Sequence, residues 1–272
     1  MNKFAQSMAI VIALLMVGEV CAAVFPESRI GPLHYETDAA FNAAFRQTLA
    51  SHADSMSVQS VAGDGVVLRQ FGNKESRVWD ARNAANNTDI SAFPLEAGQP
   101  VLLYTDFRIQ TVDKGVPVKN RVALAAVSLD DRRSYVGSFY IESPGTLEGL
   151  MRFENFNLVD NTRVAAYTAQ TTPYTPFSTE KWYRLEMTLT RLDASRVKLN
   201  LSMYNLVGDA KGGAKDTLIK SFSEIRENLV ADGMSNAFQF GLKADASGGA
   251  RTVMDNFGAY VVPPAGTVIA IR

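Results

Sequence analysis

Between Tyr183 and Met203, apolar and polar residues alternate on both sides of a short turn. Tyr183, Leu185, Met187 and Leu189 share one parity, and Arg184, Glu186, Thr188 and Thr190 share the other. After Asp193-Ala194-Ser195 the pattern resumes, with Val197, Leu199, Leu201 and Met203 set against Lys198, Asn200 and Ser202. Only a strand sends successive side chains to opposite faces, so period-2 alternation around a turn predicts an antiparallel hairpin with one buried and one wet face.

The same logic marks further strands. Residues 57–61 and 66–71 flank Gly63-Asp64-Gly65, a hairpin signal. Residues 101–111, 121–128 and 134–141 are β-branched or aromatic runs parted by turn-forming stretches. Residues 237–242 and 252–262 close the series, and Pro263-Pro264 ends it because proline cannot donate to a ladder. Two short helices are also expected. Asp38 can cap one whose Phe41, Phe45 and Leu49 form a stripe, and Phe222, Ile225 and Leu229 form another with Ser223 near its start. Many short strands at turn-punctuated spacing predict an all-β sandwich or barrel.

The N-terminus reads as a secretory signal peptide over residues 1–23. Asn2 and Lys3 precede an apolar run of ten residues from Met8 to Val17, followed by small residues to Ala23. That run is short of the roughly 20 apolar residues a membrane span needs, which predicts a secreted or periplasmic protein with no span after cleavage. The only cysteine, Cys21, lies in this segment, so the mature chain would hold together by packing, as expected of a bacterial exported protein. Roughly 250 residues suffice for a sizeable core. No linker or repeat interrupts residues 24–262, which predicts one domain followed by a short tail at 263–272. Twenty-seven basic residues against 28 acidic ones give a net charge of −1. The absence of a basic stripe argues against nucleic acid as partner, and the reading expects a monomer.

The stretch Phe177-Ser178-Thr179-Glu180-Lys181-Trp182-Tyr183-Arg184-Leu185-Glu186-Met187 resembles the turn, Trp-Tyr and alternating strand of concanavalin A-like jelly rolls, the laminin-G-like group included. Residues 252–261, with Asp255-Asn256-Phe257, are similar to their closing strand, and Phe41 to Leu49 with Gly65-Val66-Val67-Leu68 resembles their opening. The resemblance implies an antiparallel two-sheet jelly-roll sandwich with one or two covering helices. It also implies a possible structural calcium at Asp255. Val253 and Phe257 flank Asp255 at the same parity, so its carboxylate should point inward and need a partner: metal, arginine or backbone N–H.

The fold carries glycan-binding modules, glycosidases, lyases and adhesion domains, so activity must come from residues. A retaining glycosidase needs paired carboxylates, and Glu36-Thr37-Asp38 lacks the third acid of the jelly-roll glucanase string. Arg152-Phe153-Glu154 begins like a jelly-roll lyase strand, but Phe156 stands where a second arginine would be. The plain reading makes Arg152 and Glu154 a solvated face opposite Met151 and Phe153. His34 and His52 stand alone. Asn86-Asn87-Thr88 is a sequon of no expected consequence. Glycan binding wants an aromatic platform with polar neighbours. Trp79, Tyr104, Tyr135, Tyr140, Tyr167, Tyr174 and Trp182 are the candidates, foremost Trp79, Tyr167, Tyr174 and Trp182, with the polar-aromatic stretch from Tyr167 to Phe177 either a sugar-contacting loop or an ordinary connection. Three functions remain in view: a non-catalytic module binding a polysaccharide or cell-surface glycan; a glycosidase or lyase of the same fold using scattered acids such as Glu142, Glu148 and Glu154; and a structural envelope or matrix protein.

Overall fold

The computed structural model describes residues 29–47, 56–70, 75–80, 92–111, 120–128, 133–141, 147–157, 162–169, 174–234, 237–245 and 251–262. The expected signal peptide, Leu49, His52, the sequon, Glu142 and the C-terminal tail lie outside them.

Two antiparallel sheets face each other. The first runs, edge to edge, β15 (Lys215–Arg226), β14 (Val197–Leu206), β13 (Tyr183–Arg191), β7 (Pro100–Thr111), β17 (Arg251–Val261), β4 (Gly65–Gln70) and β3 (Met56–Val61), with β1 (Arg29–Leu33) also on β17. The second runs β11 (Arg163–Ala169), β10 (Glu148–Asn157), β9 (Arg133–Ile141), β8 (Asn120–Ser128), β16 (Ala237–Asp245), β5 (Glu75–Asp80) and β2 (Phe45–Gln47). On this sheet β6 (Ala92–Pro94) adds to β16 and β12 (Thr175–Pro176) adds to β10. The fold is therefore the all-β two-sheet jelly-roll sandwich that the strand pattern and the resemblance together predict, with one α-helix among the described residues, α1 (Asp38–Ala44). Among the described residues no helix is long and apolar enough to cross a membrane.

The predicted hairpin is β13–β14, in register from Tyr183↔Asn205 to Arg191↔Val197. All eight of its apolar-parity residues are buried. They meet inward residues of the second sheet such as Phe139, Phe153 and Phe240 in one core. Packing is tight enough that a Cβ on Gly149 would come within 2.4 Å of the Phe139 ring, so small residues there are a steric requirement. Leu199→Ala should cost about 2 to 5 kcal/mol by transfer and cavity terms, while Thr188→Ala on the outer parity should cost under about 1 kcal/mol. Urea denaturation of the two variants checks the face assignment, since reversed costs would mean a one-residue slip in register.

Two helical expectations change. Thr37, not Asp38, caps α1 by accepting from the Ala40 N–H at 3.2 Å, while Asp38 accepts from the Val58 N–H at 2.5 Å. The helix ends at Ala44, and Phe45 opens β2 with its ring stacked on Phe41 at 5.1 Å. The second expected helix is strand β15. Its Phe222 pairs across from Leu201 and faces the core, whereas Ile225 pairs with Lys198 and points outward, 46% exposed. The three-residue spacing of these two therefore splits them between faces.

Candidate functional site

Register across the second sheet brings distant residues onto its outer face. Leu150, Tyr140, Arg121 and Asp245 are successive cross-strand partners on β10, β9, β8 and β16. The next row is Arg152, Ser138, Ala123 and Lys243, and the one after is Glu154, Val136, Ala125 and Gly241. Gln239 follows on β16, next to Val127. Each charged strand position is forced by the parity of its apolar neighbours, since Met151 and Phe153, Val122 and Leu124, and Phe240 and Leu242 all enter the core.

This face is not the solvated surface expected of Arg152 and Glu154. Arg152 is 9% exposed, Arg121 and Lys243 are 4% and 0%, and Glu154 is 0%. Glu154 bridges the two arginines: Arg152 Nη2 donates to Oε1 at 2.7 Å and Arg121 Nη1 donates to Oε2. The Tyr140 ring lies under both guanidiniums, 4.4 Å from Arg152 and 5.9 Å from Arg121. Lys243 Nζ sits 3.7 Å from the centre of the Phe156 ring. Ions this deep require pairing and aromatic faces to offset lost hydration. The arrangement combines three cations, a carboxylate, a phenol and an amide above a floor of Ala123, Ala125 and Gly241. Guanidiniums in such a setting match planar carboxylates in two-point contacts.

The expected aromatic platforms fare differently. Trp182 is 4% exposed, and its indole Nε1 donates to Asp64 Oδ1 at 3.0 Å, so it is a structural brace with no open ring face. Tyr174 is half-buried beside β12. Tyr167 lies within β11 and Trp79 within β5, where Trp79 pairs with Gly241 on the row of Glu154; both side chains fall outside the described set. The stretch from Tyr167 to Phe177 is not one loop, because it contains parts of β11 and β12 and ends with Phe177 buried edge-on to Phe139. Glu148, on β10, is exposed. Arg121, Lys243 and Gln239 were missed as site residues. Their signal was present in parity alone, as polar residues interleaved with Val122, Leu124, Phe238, Phe240 and Leu242.

Asp255 is buried, but on the outer side of the first sheet. Met254 enters the main core while Val253 joins a small outer cluster with Val67, Trp182 and Leu206. A bulge between Asp255 and Gly258, with Asn256 at φ 47°, then returns Phe257 to the core. Asp255 Oδ2 accepts from Lys211 Nζ at 2.6 Å; Oδ1 accepts from the Asn256 N–H at 2.8 Å and lies 2.8 Å from His34 Nδ1. Calcium takes about six to eight oxygen ligands. The partners here are an ammonium, an imidazole and an amide N–H, and among the described residues no three His, Cys, Asp or Glu side chains converge on a metal position. These residues do not fit calcium, and chelation should leave the melting temperature unchanged.

The hydrogen bond to Asp255 raises the His34 imidazole above its ordinary value, with burial opposing and Glu36 and Lys211 the other charges facing it. A raised folded-state value means stabilisation that is complete below the unfolded value of about 6.5 and is lost as pH rises through the folded value. Thermal melts from pH 6 to pH 8 should therefore show a falling difference between the wild type and His34→Gln. Parallel profiles would remove the link.

No family model and no curated protein matches this sequence. Similar solved structures include a carbohydrate-binding module from Bacillus subtilis, at 14% identity over 80% of this chain and 95% of that one, TM-score 0.43. Peanut lectin follows at 12% identity over 86% and 97%, TM-score 0.46. An alginate lyase of polysaccharide lyase family 7 shares 7% identity over 80% and 95%, TM-score 0.43. With every score below one half, the sandwich assignment rests on the sheets and their register, and the likeness assigns no activity.

Proposed function

We propose that this is an exported, non-catalytic jelly-roll module that binds an acidic polysaccharide on the outer face of its second sheet. The observation that carries the reading is the gathering of Arg121, Arg152, Lys243, Tyr140 and Gln239 around Glu154, on a face where packing alone would favour apolar residues. Uronate carboxylates suit the guanidiniums, and sugar hydroxyls suit Gln239. Arg152, the least buried of the three cations, is the first contact for an incoming ligand. Export is supported by the charged start, apolar run and small residues of the N-terminus.

A lyase is the second reading, favoured by the position of Tyr140 against two guanidiniums. Ionised beside the guanidiniums, the Tyr140 oxygen takes the proton next to the neutralised uronate carboxylate and returns it to the leaving 4-oxygen as the C–O bond breaks and the double bond forms. Affinity electrophoresis on polyuronates and on neutral glucans separates the readings when products are also analysed. Retention by polyuronate, weakened at least tenfold by Arg152→Ala and by added salt, is the expected result. Retention by neutral glucans alone would overturn the acidic-ligand reading, and unsaturated uronate ends would establish the lyase.

A further inference from the structure

Strand β1 is joined to the sandwich by a short and interrupted ladder. Among the described residues it pairs with β17 alone, at Arg29↔Tyr260, Ile30↔Ala259 and Leu33↔Phe257, with a bulge between Ile30 and Leu33. Pro32 stands in that bulge and has no N–H to donate. One side of β17 is paired with β7 from Arg251 to Val261. On the other side β4 pairs only with Thr252, Val253 and Met254. Beyond the Asp255 bulge, β1 therefore takes over that edge and covers Phe257 to Tyr260. Tyr35 follows, its ring stacked on Phe257 at 6.0 Å and 24° and edge-on to Phe41 at 5.6 Å.

Between Leu33 and Tyr35, His34 ties this segment down through its side chain. Nδ1 lies 2.8 Å from Asp255 Oδ1, and Nε2 lies 3.0 Å from Glu36 Oε1. An ionised carboxylate can only accept, and a neutral imidazole carries one N–H. Both bonds at once therefore require the cationic ring with a proton on each nitrogen. Loss of one proton turns a nitrogen lone pair toward a carboxylate and breaks one tie. The charged groups facing the ring are Asp255 of β17, Glu36 on its own segment and Lys211 of the 207–214 loop. Lys211 donates separately to Asp255 Oδ2 at 2.6 Å and to the Val66 carbonyl at 2.7 Å. The loop thus keeps its own anchors when the imidazole lets go.

We propose that residues 29–36 form a proton-gated strap, in which the His34 imidazolium fastens β1 to β17 in acid and loss of its proton frees β1 and bares the Phe257–Tyr260 edge. The strap lies on the first sheet, apart from the charged outer face of the second. Hydrogen–deuterium exchange of the full chain from about pH 5.5 to about pH 8.5, corrected for the intrinsic rate at each pH, tests it. Protection of residues 29–36 should fall roughly threefold or more across that range, while the β13–β14 hairpin stays equally protected. His34→Gln cannot titrate, so its strap should be weakly protected at every pH. Glu36→Gln keeps the imidazole and alters an exposed side chain, so the fold is not at risk. Its amide accepts from an N–H or donates to a bare nitrogen, which should shrink the step. Protection of residues 29–36 that does not change with pH in the wild type would overturn the strap. So would a step that persists undiminished in either variant.

Discussion

Glu154→Ala is expected to destabilise the fold by about 3 to 5 kcal/mol, because it withdraws the carboxylate that two buried guanidiniums share. Glu154 is fully buried, and each of its oxygens is taken by a different arginine, Arg152 at Oε1 and Arg121 at Oε2. Glu154 and Arg152 stand on β10 and Arg121 on β8, so the carboxylate ties two strands of one sheet across β9. Glu154→Gln keeps the volume and one acceptor and should cost less, about 1 to 3 kcal/mol. Urea denaturation at constant m-value measures both. A loss within about 0.5 kcal/mol for the alanine variant would place Glu154 in solvent and remove the geometry on which the glycan-binding reading rests.

How much of this was legible in the sequence depended on whether a signal was local. The β13–β14 hairpin could be read to the residue because its alternation continues through a defined turn, and Gly63 and Gly65 adopt φ of 83° and 70° at the turn where glycine was expected. Strand β15 was misread because its inward row mixes Phe222 with Glu224 and Arg226, which hides the period of two. Asp255 was assigned to the wrong side because parity was carried through a bulge, and the left-handed Asn256 that makes the bulge leaves only a weak mark. The charged face was the least legible. Residues 121, 140, 152, 154 and 243 meet only through strand register, and one strand's alternation shows that Arg152 faces away from the core without showing that it is buried.

On the first sheet the corresponding loss should follow Asp106→Ala, again about 3 to 5 kcal/mol for removing one partner of a buried charge pair. The Asp106 side chain has no solvent exposure. It accepts from Arg184 Nε at 2.7 Å and Nη2 at 3.1 Å, a two-point contact that ties β7 to β13. It also accepts from the Gly212 N–H and from Asn256 Nδ2, both at 2.8 Å. The first of these holds the 207–214 loop on the sheet, and the second holds the bulge residue in its left-handed conformation, which costs energy outside glycine. Without the carboxylate the loop loses an anchor and the bulge its brace, so Lys211, carried by that loop, should release Asp255 as well. Asp106→Asn retains the shape and one good acceptor and should fall between the alanine variant and the wild type. Urea melts give the stability change, and limited proteolysis reads the loop, where Lys211 and the glycines after it offer a cleavage site. Faster cutting at Lys211 in Asp106→Ala, intermediate in Asp106→Asn, is expected; cutting at the wild-type rate in both would mean that the loop is held to the sheet by other contacts.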